Sequence, residues 1–334
     1  ARVADAGFRR LVINHAWLGE QIFYQDPLYP YFLAGLYAVY RLREMGLSHR
    51  GFEQGSGVGG TWWANTYPGC ACDVQSHLYS FSFEPNPDWS HMFGRQDEIR
   101  HYLERCAEKY DLTPHIRLST EVAAAEWRQA GNRWHVRTGD GRKYEAPVLI
   151  SAAGGLSRPA YPDIAGLEQF RGKIIHSARW NSEVELAGRR VAVIGTGASA
   201  IQIVPEIAPQ ASQLFLFQRT PPWVIPRPDR KITRAEKWLY GRLPFTQKLV
   251  RWLLYWRLEA RATAFVLFPR MTRFVEWLGR WNISRGIPDP GLRLKVVPSF
   301  PAGCKRVLLS DDYYPALTRQ NVHLVTRKIR EITA

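Results

Sequence analysis

The stretch Val191-Ala-Val-Ile-Gly195-Thr-Gly197-Ala-Ser-Ala200 decides the fold. Its apolar start predicts a short buried strand, and the residues after its glycine-rich turn predict a helix. In the pattern Gly-x-Gly-x-x-Ala, Gly195 permits a tight turn, Gly197 lets the backbone approach a pyrophosphate, and Ala200 lets helix and strand pack closely. A second strand at Leu214–Gln218 completes a βαβ unit. The segment therefore predicts dinucleotide binding at the helix N-terminus, and the alternative is a glycine turn without a ligand.

The end of the second strand indicates which dinucleotide this unit binds. It reads Phe217-Gln-Arg219-Thr220, without the acidic residue that would bond a ribose 2′-hydroxyl in NAD. Arg219 stands where a 2′-phosphate would lie, and a planar guanidinium suits a phosphate dianion, which favours NADP. The alternative is a solvated arginine at a strand end. The residues predicted to bind NADP in this unit are Gly195, Thr196, Gly197, Ala198, Ser199, Gln202, Arg219 and Thr220.

An earlier unit of the same kind looks incomplete. A helix pattern begins near Ala34-Gly35, and a strand at His49–Gln54 places Glu53 where a carboxylate could bond a ribose. The glycine motif is absent, because Pro30 and Phe32 occupy its two earlier glycine positions. Phe cannot let a pyrophosphate approach the backbone as Gly does. No apolar strand is recognised before this helix, so the first unit is predicted to lack its opening strand.

Composition excludes several classes of protein. The 334 residues are 46% apolar and 22% charged, as in a globular chain rather than a disordered one, and this length predicts about two domains. No apolar run reaches the roughly 18 residues of a membrane-spanning helix. The four scattered cysteines suit a reducing compartment, and we predict a cytoplasmic protein. No metal site is predicted, because Cys70 and Cys72 lack a second pair of ligands.

The net charge of +15 suggests an anionic partner. Residues 231–300 hold 14 Lys and Arg against 4 Asp and Glu, and helical patterns run from 231 to 285. No nucleic-acid-binding motif accompanies the charge, so no nucleic-acid partner is predicted. We interpret the tryptophans of this segment as packing and cleft residues, and the alternative is an amphipathic surface that touches a membrane. These tryptophans are Trp238, Trp252, Trp256, Trp277 and Trp281.

Other parts of the chain have simpler patterns. An amphipathic helix is predicted at Gln96–Tyr110 and a late strand at Val322–Val325. Between the two nucleotide units, three strands are predicted to form a β-meander, at Glu121–Trp127, Arg133–Thr138 and Lys143–Ala152.

A fingerprint between the two units indicates a family. Phe170-Arg-Gly172-Lys-Ile-Ile-His176-Ser-Ala-Arg-Trp180 resembles the FxGxxxHxxxW fingerprint of the flavin-dependent Baeyer–Villiger monooxygenases. Related flavin-containing and N-hydroxylating monooxygenases usually carry Phe or Tyr where Trp180 stands. The resemblance implies that His176 and Trp180 couple cofactor movement rather than take part in the chemistry. The alternative is that they are linker residues packed between domains.

The resemblance covers about residues 34–334 and implies a fold. That fold is α/β, with two dinucleotide-binding, Rossmann-like domains, a β-meander and a helical insertion. The implied domains are an unmatched N-terminal segment at 1–33, a partial FAD-binding domain at 34–155, and an NADP-binding domain at 156–334 with the insertion at about 231–290. The family continues past this point, so the C-terminal third looks missing.

The resemblance also implies the site residues. Lys305 would join Arg219 and Thr220 in holding the NADP 2′-phosphate, Arg306 would be the catalytic arginine, and Asp73 would orient it. The implied FAD-binding residues are Gly35, Glu53, Gly59, Gly60, Thr61, Trp62, Asp73, Gln96 and Val122.

The implied function is that of a flavin monooxygenase. It would use NADPH, FAD and O₂ to insert oxygen beside the carbonyl of a small apolar ketone, giving an ester or lactone through a C4a-peroxyflavin. Two alternatives stay open. One is a flavin-containing monooxygenase that oxygenates nitrogen or sulfur, and the other is a truncated, cofactor-incompetent fragment that retains only NADP binding.

Overall fold

The computed structural model describes residues 10–14, 34–154, 159–267 and 269–333. The chain divides into two compact units. The first contains Ala1–Thr66, Tyr79–Asn86 and Gln96–Ala160, and the second contains Tyr67–Leu78, Pro87–Arg95 and Tyr161–Ala334. Two short segments that the sequence assigns to the first domain, 67–78 and 87–95, therefore belong to the second unit.

The first unit combines a parallel sheet with a β-meander. In the described part of the chain, the parallel sheet has the strand order β3-β2-β1-β7 and the antiparallel meander has the order β4-β5-β6. The elements of this unit are β1 (Arg10–Asn14), α1 (Ala34–Glu44), β2 (His49–Glu53), α2 (Thr61–Ala64), α3 (Gln96–Lys109), β3 (Ile116–Arg117), β4 (Val122–Arg128), β5 (Arg133–Thr138), β6 (Lys143–Ala146) and β7 (Val148–Ser151).

The predicted absence of an opening strand is wrong. β1 pairs in parallel with β2 on one side and with β7 on the other, so it is a central strand of the sheet. Its residues Leu11, Val12 and Ile13 form a short apolar run of the kind that suits a central parallel strand. An apolar run this short, without a glycine motif after it, does not by itself predict a strand.

The predicted strand Lys143–Ala152 is also wrong in one respect, because the structure has two strands there. β6 pairs antiparallel with β5, whereas β7 pairs in parallel with β1. Pro147 separates them, and a proline has no backbone N–H to give to a strand ladder. The chain therefore leaves the meander and enters the parallel sheet within one residue.

A small core joins the meander to the parallel sheet. Phe52 of β2 packs with Val136, Tyr144 and Ala146 of the meander, all of them buried. The rings of Phe52 and Tyr144 meet edge to face, with their centroids 4.7 Å apart. The meander thus contacts the strand that carries Glu53 at its carboxyl end.

The second unit contains the predicted βαβ segment, which is confirmed. β8, β9 and β12 form a parallel sheet in the order β12-β9-β8, and α4 connects β8 to β9. The elements of this unit are β8 (Arg190–Ile194), α4 (Ala198–Ile207), β9 (Gln213–Phe217), β10 (Val224–Ile225), α5 (Arg234–Arg242), α6 (Pro244–Leu267), α7 (Thr272–Gly286), α8 (Pro290–Val296), β11 (Leu308–Leu309), α9 (Tyr313–Ala316) and β12 (Val322–Val325).

The helical insertion is confirmed as α5, α6 and α7, but its tryptophans are not packed inside. A capping box between Thr233 and Glu236 starts α5. The predicted packing role is wrong for Trp238, Trp252, Trp256, Trp277 and Trp281, whose exposed fractions lie between 43% and 65%. In the part of the chain that the structure describes, no helix is long and apolar enough to cross a membrane.

Trp223 is fully buried and lies against α7. Its indole N–H donates to the Phe300 carbonyl at 2.8 Å, which fixes the ring. The ring lies directly over Gly279, and a Cβ at that position would come within 2.6 Å of a ring carbon. Only glycine lets the helix approach so closely.

We predict that Gly279→Ala lowers the free energy of unfolding by about 1–3 kcal/mol, because the added methyl group collides with a ring that cannot move away. Gly241→Ala is the matched control, since Gly241 also lies in a helix but a Cβ there would have no heavy atom within 4 Å. It should raise stability by up to about 1 kcal/mol. Chemical denaturation, monitored by circular dichroism, measures the free energy of unfolding of both variants. Equal changes in the two variants would contradict the packing argument.

Candidate functional site

The first unit has a cleft at the carboxyl end of β2. The cleft is partly open to solvent. Gly35 and Leu36 of α1 line one side, and Glu53 and Gly59 line another. Such a place at the end of a parallel strand is where α/β sheets bind nucleotides.

Glu53 has the position that suits a ribose. It is the last residue of β2 and is largely buried, and its Oε1 accepts a hydrogen bond from the Gly55 amide at 2.8 Å. Thr120 donates its amide to the Glu53 carbonyl at 2.8 Å and so holds the strand end. Glu53 therefore lines the cleft with a carboxylate held by this hydrogen bond, and the apolar residues Leu36 and Val39, which also line the cleft, suit a flat base.

The glycine segment after the cleft turns sharply into α2. Gly59 and Gly60 both have positive φ angles, 127° and 52°, which explains the glycines. Trp62 of α2 is buried, and its indole N–H donates to the Tyr79 hydroxyl at 2.8 Å. Gln96, at the start of α3, donates its side-chain amide to the Trp62 carbonyl. The structure thus brings Gln96 and Trp62 together, beside the half-buried Thr61.

Val122 and Tyr79 are two further residues of this unit. Val122 starts β4 and packs against the cluster around Phe52. Tyr79, which fixes Trp62, was not identified from the sequence, because a lone tyrosine in an irregular segment has no motif. The flavin-binding roles of the nine implied residues stay predictions.

The second unit presents an open glycine turn between β8 and α4. Gly195 has a φ of 101°, and a Cβ at Gly195 or Gly197 would have no heavy atom within 4 Å. Gly197 caps α4 without a side-chain hydrogen bond, so the first amides of the helix have no side-chain cap there. An open turn with backbone N–H groups fits the pyrophosphate of a dinucleotide.

The end of β9 lies beside this turn. Thr196 donates its hydroxyl hydrogen to the Thr220 carbonyl at 3.1 Å, and the Gly195 amide donates to the Phe217 carbonyl at 3.0 Å. Arg219 is exposed between Phe217 and Thr220. Arg219 therefore stands at the strand end that the sequence indicated, one residue before the threonine that contacts the glycine turn. Lys305 is exposed and lies over the Phe300 ring, with its Nζ 5.0 Å from the centroid.

Gln202 of α4 connects the glycine turn to a loop of the same unit. Its Nε2 donates to the Ala71 carbonyl at 3.0 Å, and its Oε1 accepts from the Tyr67 hydroxyl at 3.1 Å. Gly69 lies against the Gln202 backbone, where a Cβ would come within 2.7 Å of the carbonyl oxygen. The amide that the sequence assigned to NADP thus holds the loop that leads to Asp73.

Asp73 and Arg306 form an ion pair, although 233 residues separate them in the chain. The Arg306 guanidinium donates to the Asp73 carboxylate, and both side chains are partly exposed, at 47% and 33%. The two residues that the resemblance made catalytic therefore meet within one unit.

Arg227 holds the loop beside Asp73 and was not identified from the sequence. Its guanidinium donates to the Cys72 carbonyl at 3.2 Å and lies over the Phe93 ring at 4.9 Å. The Cys72 amide donates to the Gly94 carbonyl at 2.9 Å. Complete burial raises the pKa of the Cys72 thiol, which keeps it neutral and unreactive. An isolated arginine outside a motif has no signal that sequence inspection could have used.

The fingerprint segment has its own local geometry. The Phe170 ring lies over Gly172, where a Cβ would come within 2.5 Å of a ring carbon. His176 caps a short 3₁₀ turn, its Nδ1 accepting a hydrogen bond from the Ala178 amide at 3.1 Å. Trp180 follows that turn and is half-buried. Glycine is needed two residues after Phe170 because the Phe170 ring packs against it. The spacing between His176 and Trp180 corresponds to the length of the 3₁₀ turn between them.

Comparison with protein families gives one match. The family model described as flavin-binding monooxygenase-like matches residues 33–260.

Two of the similar curated proteins are bacterial. A Baeyer–Villiger monooxygenase of Pseudomonas aeruginosa is 50% identical over 302 residues, which are 90% of this chain and 57% of the relative. One of Streptomyces coelicolor is 50% identical over 299 residues, which are 89% of this chain and 57% of the relative. The chain therefore spans somewhat over half the length of these relatives.

Solved structures resemble the fold over nearly the whole chain. OTEMO in complex with FAD and NADP is 29% identical with a TM-score of 0.82, covering 98% of this chain and 68% of that one. Oxidized steroid monooxygenase bound to NADP is 33% identical with a TM-score of 0.79, covering 95% of this chain and 65% of that one.

We predict that Gln202→Leu loosens the loop at 67–78 and lowers the free energy of unfolding by about 1–3 kcal/mol, because the Ala71 carbonyl loses its partner. Hydrogen exchange of peptides covering this loop measures the effect, and exchange should become faster. Gln210→Leu is the control, since Gln210 is exposed just after the same helix and bonds only a nearby carbonyl, that of Glu206. Unchanged exchange in the Gln202 variant would show that its amide does not hold the loop.

Proposed function

Because the chain belongs to the flavin-binding monooxygenase-like family, we propose that it carries the nucleotide-binding part of an NADPH-dependent Baeyer–Villiger monooxygenase. The observation that carries the proposal is the ion pair between Asp73 and Arg306, in the same unit as an open dinucleotide turn. The two bacterial relatives that are 50% identical are named Baeyer–Villiger monooxygenases, which supports the choice of reaction.

The first unit is proposed to bind FAD. Glu53 would bond the ribose hydroxyls with its fixed carboxylate, and Gly35 and Gly59 would leave room on the walls of the cleft. Bound FAD supplies the redox chemistry, taking a hydride from NADPH and activating O₂ for transfer to the substrate. The OTEMO structure, which contains both FAD and NADP, supports this pair of cofactors.

The second unit is proposed to bind NADP. The amides at the start of α4 would hold the pyrophosphate above Gly195 and Gly197. Arg219 would hold the 2′-phosphate, since it is exposed at the end of β9, next to the Thr220 that contacts the turn, and no acidic residue stands there. Lys305, which is exposed, is proposed as a second cation for this phosphate.

Arg306 is proposed to stabilise the negative charge of the reaction. In the overall reaction, a ketone, O₂, NADPH and a proton become an ester or lactone, NADP⁺ and water. Negative charge develops on oxygen before the carbon migrates, and a fixed guanidinium stabilises it without giving up a proton. Asp73 would keep the guanidinium oriented, because the pair is already formed in the free protein.

The proposed substrate is a small apolar ketone, and the main alternative is oxygenation of nitrogen or sulfur. Trp180 favours the ketone reaction, because the nitrogen-oxygenating relatives usually carry Phe or Tyr at this place. Product analysis with a cyclic ketone and a thioether separates the two reactions. An absorbance spectrum of the purified protein with added FAD tests the other alternative, a fragment that cannot hold the flavin.

We predict that Arg306→Ala lowers the rate of ester formation from a cyclic ketone by roughly 10²–10³-fold, because the developing charge loses its donor. Reduction of the flavin by NADPH should continue, since hydride transfer does not use this charge. Arg319→Ala, which removes an exposed arginine elsewhere in the same unit, is the control. An unchanged rate of ester formation in the Arg306 variant would rule out the role proposed for it.

We predict that Arg219→Ala weakens binding of adenosine 2′,5′-bisphosphate by about tenfold or more and leaves binding of 5′-AMP nearly unchanged. Isothermal titration calorimetry measures both ligands. Arg189→Ala is the matched control, since Arg189 is an exposed arginine just before β8, at the amino end of the same sheet. Equal losses for the two ligands would argue against a 2′-phosphate site.

A further inference from the structure

Helix α6 exposes an apolar stripe. Phe245, Leu249, Trp252, Leu253 and Trp256 recur at helical spacing, and each is more than half exposed, from 52% to 64%. Residues on the opposite side of the helix, Gln247 and Leu254, are buried, at 2% and 7%. α6 therefore packs on the second unit with one side and presents large apolar side chains on the other.

Helix α7 repeats this arrangement. Phe274, Trp277 and Trp281 follow each other at spacings of three and four residues, with exposed fractions of 53%, 57% and 43%. The rings of Phe274 and Trp277 stack with their centroids 5.8 Å apart. Asn282 and Ile283 on the other side are buried. Exposed aromatic residues on two consecutive helices indicate a surface that binds something, since scattered apolar residues would not follow the helical period.

Basic residues border both stripes. α5, α6 and α7 together carry 10 Lys and Arg against 3 Asp and Glu. At about 100° per residue, Lys248 and Arg257 lie on the two sides of the α6 stripe, and both are exposed. On α7, the exposed Arg273 and Arg280 lie along one side of its stripe. We call the exposed aromatic and basic residues of α6 and α7 the aromatic–basic face.

We propose that the aromatic–basic face binds the surface of an anionic phospholipid bilayer. Tryptophan and leucine enter the boundary between headgroups and acyl chains, while arginine and lysine contact the phosphates, and this combination is typical of interfacial helices. Charge decides between a lipid surface and a second copy of the chain, since two copies each carrying +15 would repel one another. Binding would place the protein where apolar ketones dissolve, but it does not require the proposed function.

Flotation with large unilamellar vesicles tests the proposal. The whole chain should float with vesicles of phosphatidylcholine and phosphatidylglycerol in equal parts, and much less with phosphatidylcholine alone. Raising NaCl from about 0.1 M to about 1 M should weaken binding, because salt screens the basic residues. The double variant Trp252→Ser/Trp256→Ser should bind roughly tenfold more weakly or worse, and so should Lys248→Glu/Arg257→Glu.

Two control variants lie in the first unit. Trp127→Ser removes an exposed tryptophan from β4, and Arg128→Glu/Arg133→Glu makes the same change of charge in the meander. Both should keep binding within about twofold of the unchanged protein, because these residues are not part of the aromatic–basic face. Thermal unfolding checks that all variants fold, and sedimentation velocity measures their oligomeric state.

Three results would overturn the proposal. The first is failure of the unchanged protein to prefer anionic vesicles, as expected if other polypeptide covers the aromatic–basic face. The second is equal loss of binding in the face variants and in the first-unit controls. The third is a dimer that the Trp252/Trp256 variant converts to monomers, which would make the face a contact between two copies. None of these results depends on bound flavin, so failure here and failure of the proposed function can be told apart.

Discussion

The second unit depends on how one loop is held. Residues 67–78 come from the middle of the first unit's sequence, yet they pack with α4 and with the chain around Arg227. Gln202 binds the Ala71 backbone, and Arg227 binds the Cys72 carbonyl one residue before Asp73. These polar contacts to backbone atoms restrict where the Asp73 carboxylate can lie. Arg306 forms its ion pair with the carboxylate in that position. The contacts of Gln202 and Arg227 hold the loop, and the ion pair forms as a result. The pair itself does little to hold the loop, since a partly exposed ion pair contributes little stability.

The anchoring also gives α4 a double role. Its first residues form an open turn without a side-chain cap, and one turn later Gln202 holds the loop of Asp73. A ligand that stiffens the start of α4 would therefore act on the same helix that positions the charged pair. Such coupling through a shared rigid element is a physical route by which a nucleotide could influence the proposed catalytic arginine.

The distribution of charge separates two kinds of basic surface. Arg219 follows β9 beside the open turn, and a single guanidinium suits one phosphate group. The aromatic–basic face combines many cations with large exposed rings over two helices, which suits an extended apolar surface with anionic groups. Under the two proposals, the same excess of Lys and Arg would serve two different purposes, and the exposure of the aromatic residues distinguishes them.

The sequence by itself determined the βαβ segment, the glycine turn and the meander strands β4 and β5, because these follow from local period and from residues that permit few alternatives. It also named both members of the Asp73–Arg306 pair, through a resemblance rather than through spacing. It missed β1 and the break at Pro147, since partner strands far along the chain decide where a short apolar run pairs. Tertiary structure alone decided the contacts of Gln202 and Arg227, because contacts between distant residues leave no local period in the sequence. It also decided that the tryptophans of α6 and α7 face outward, since an apolar stripe has the same period whether it is buried or exposed.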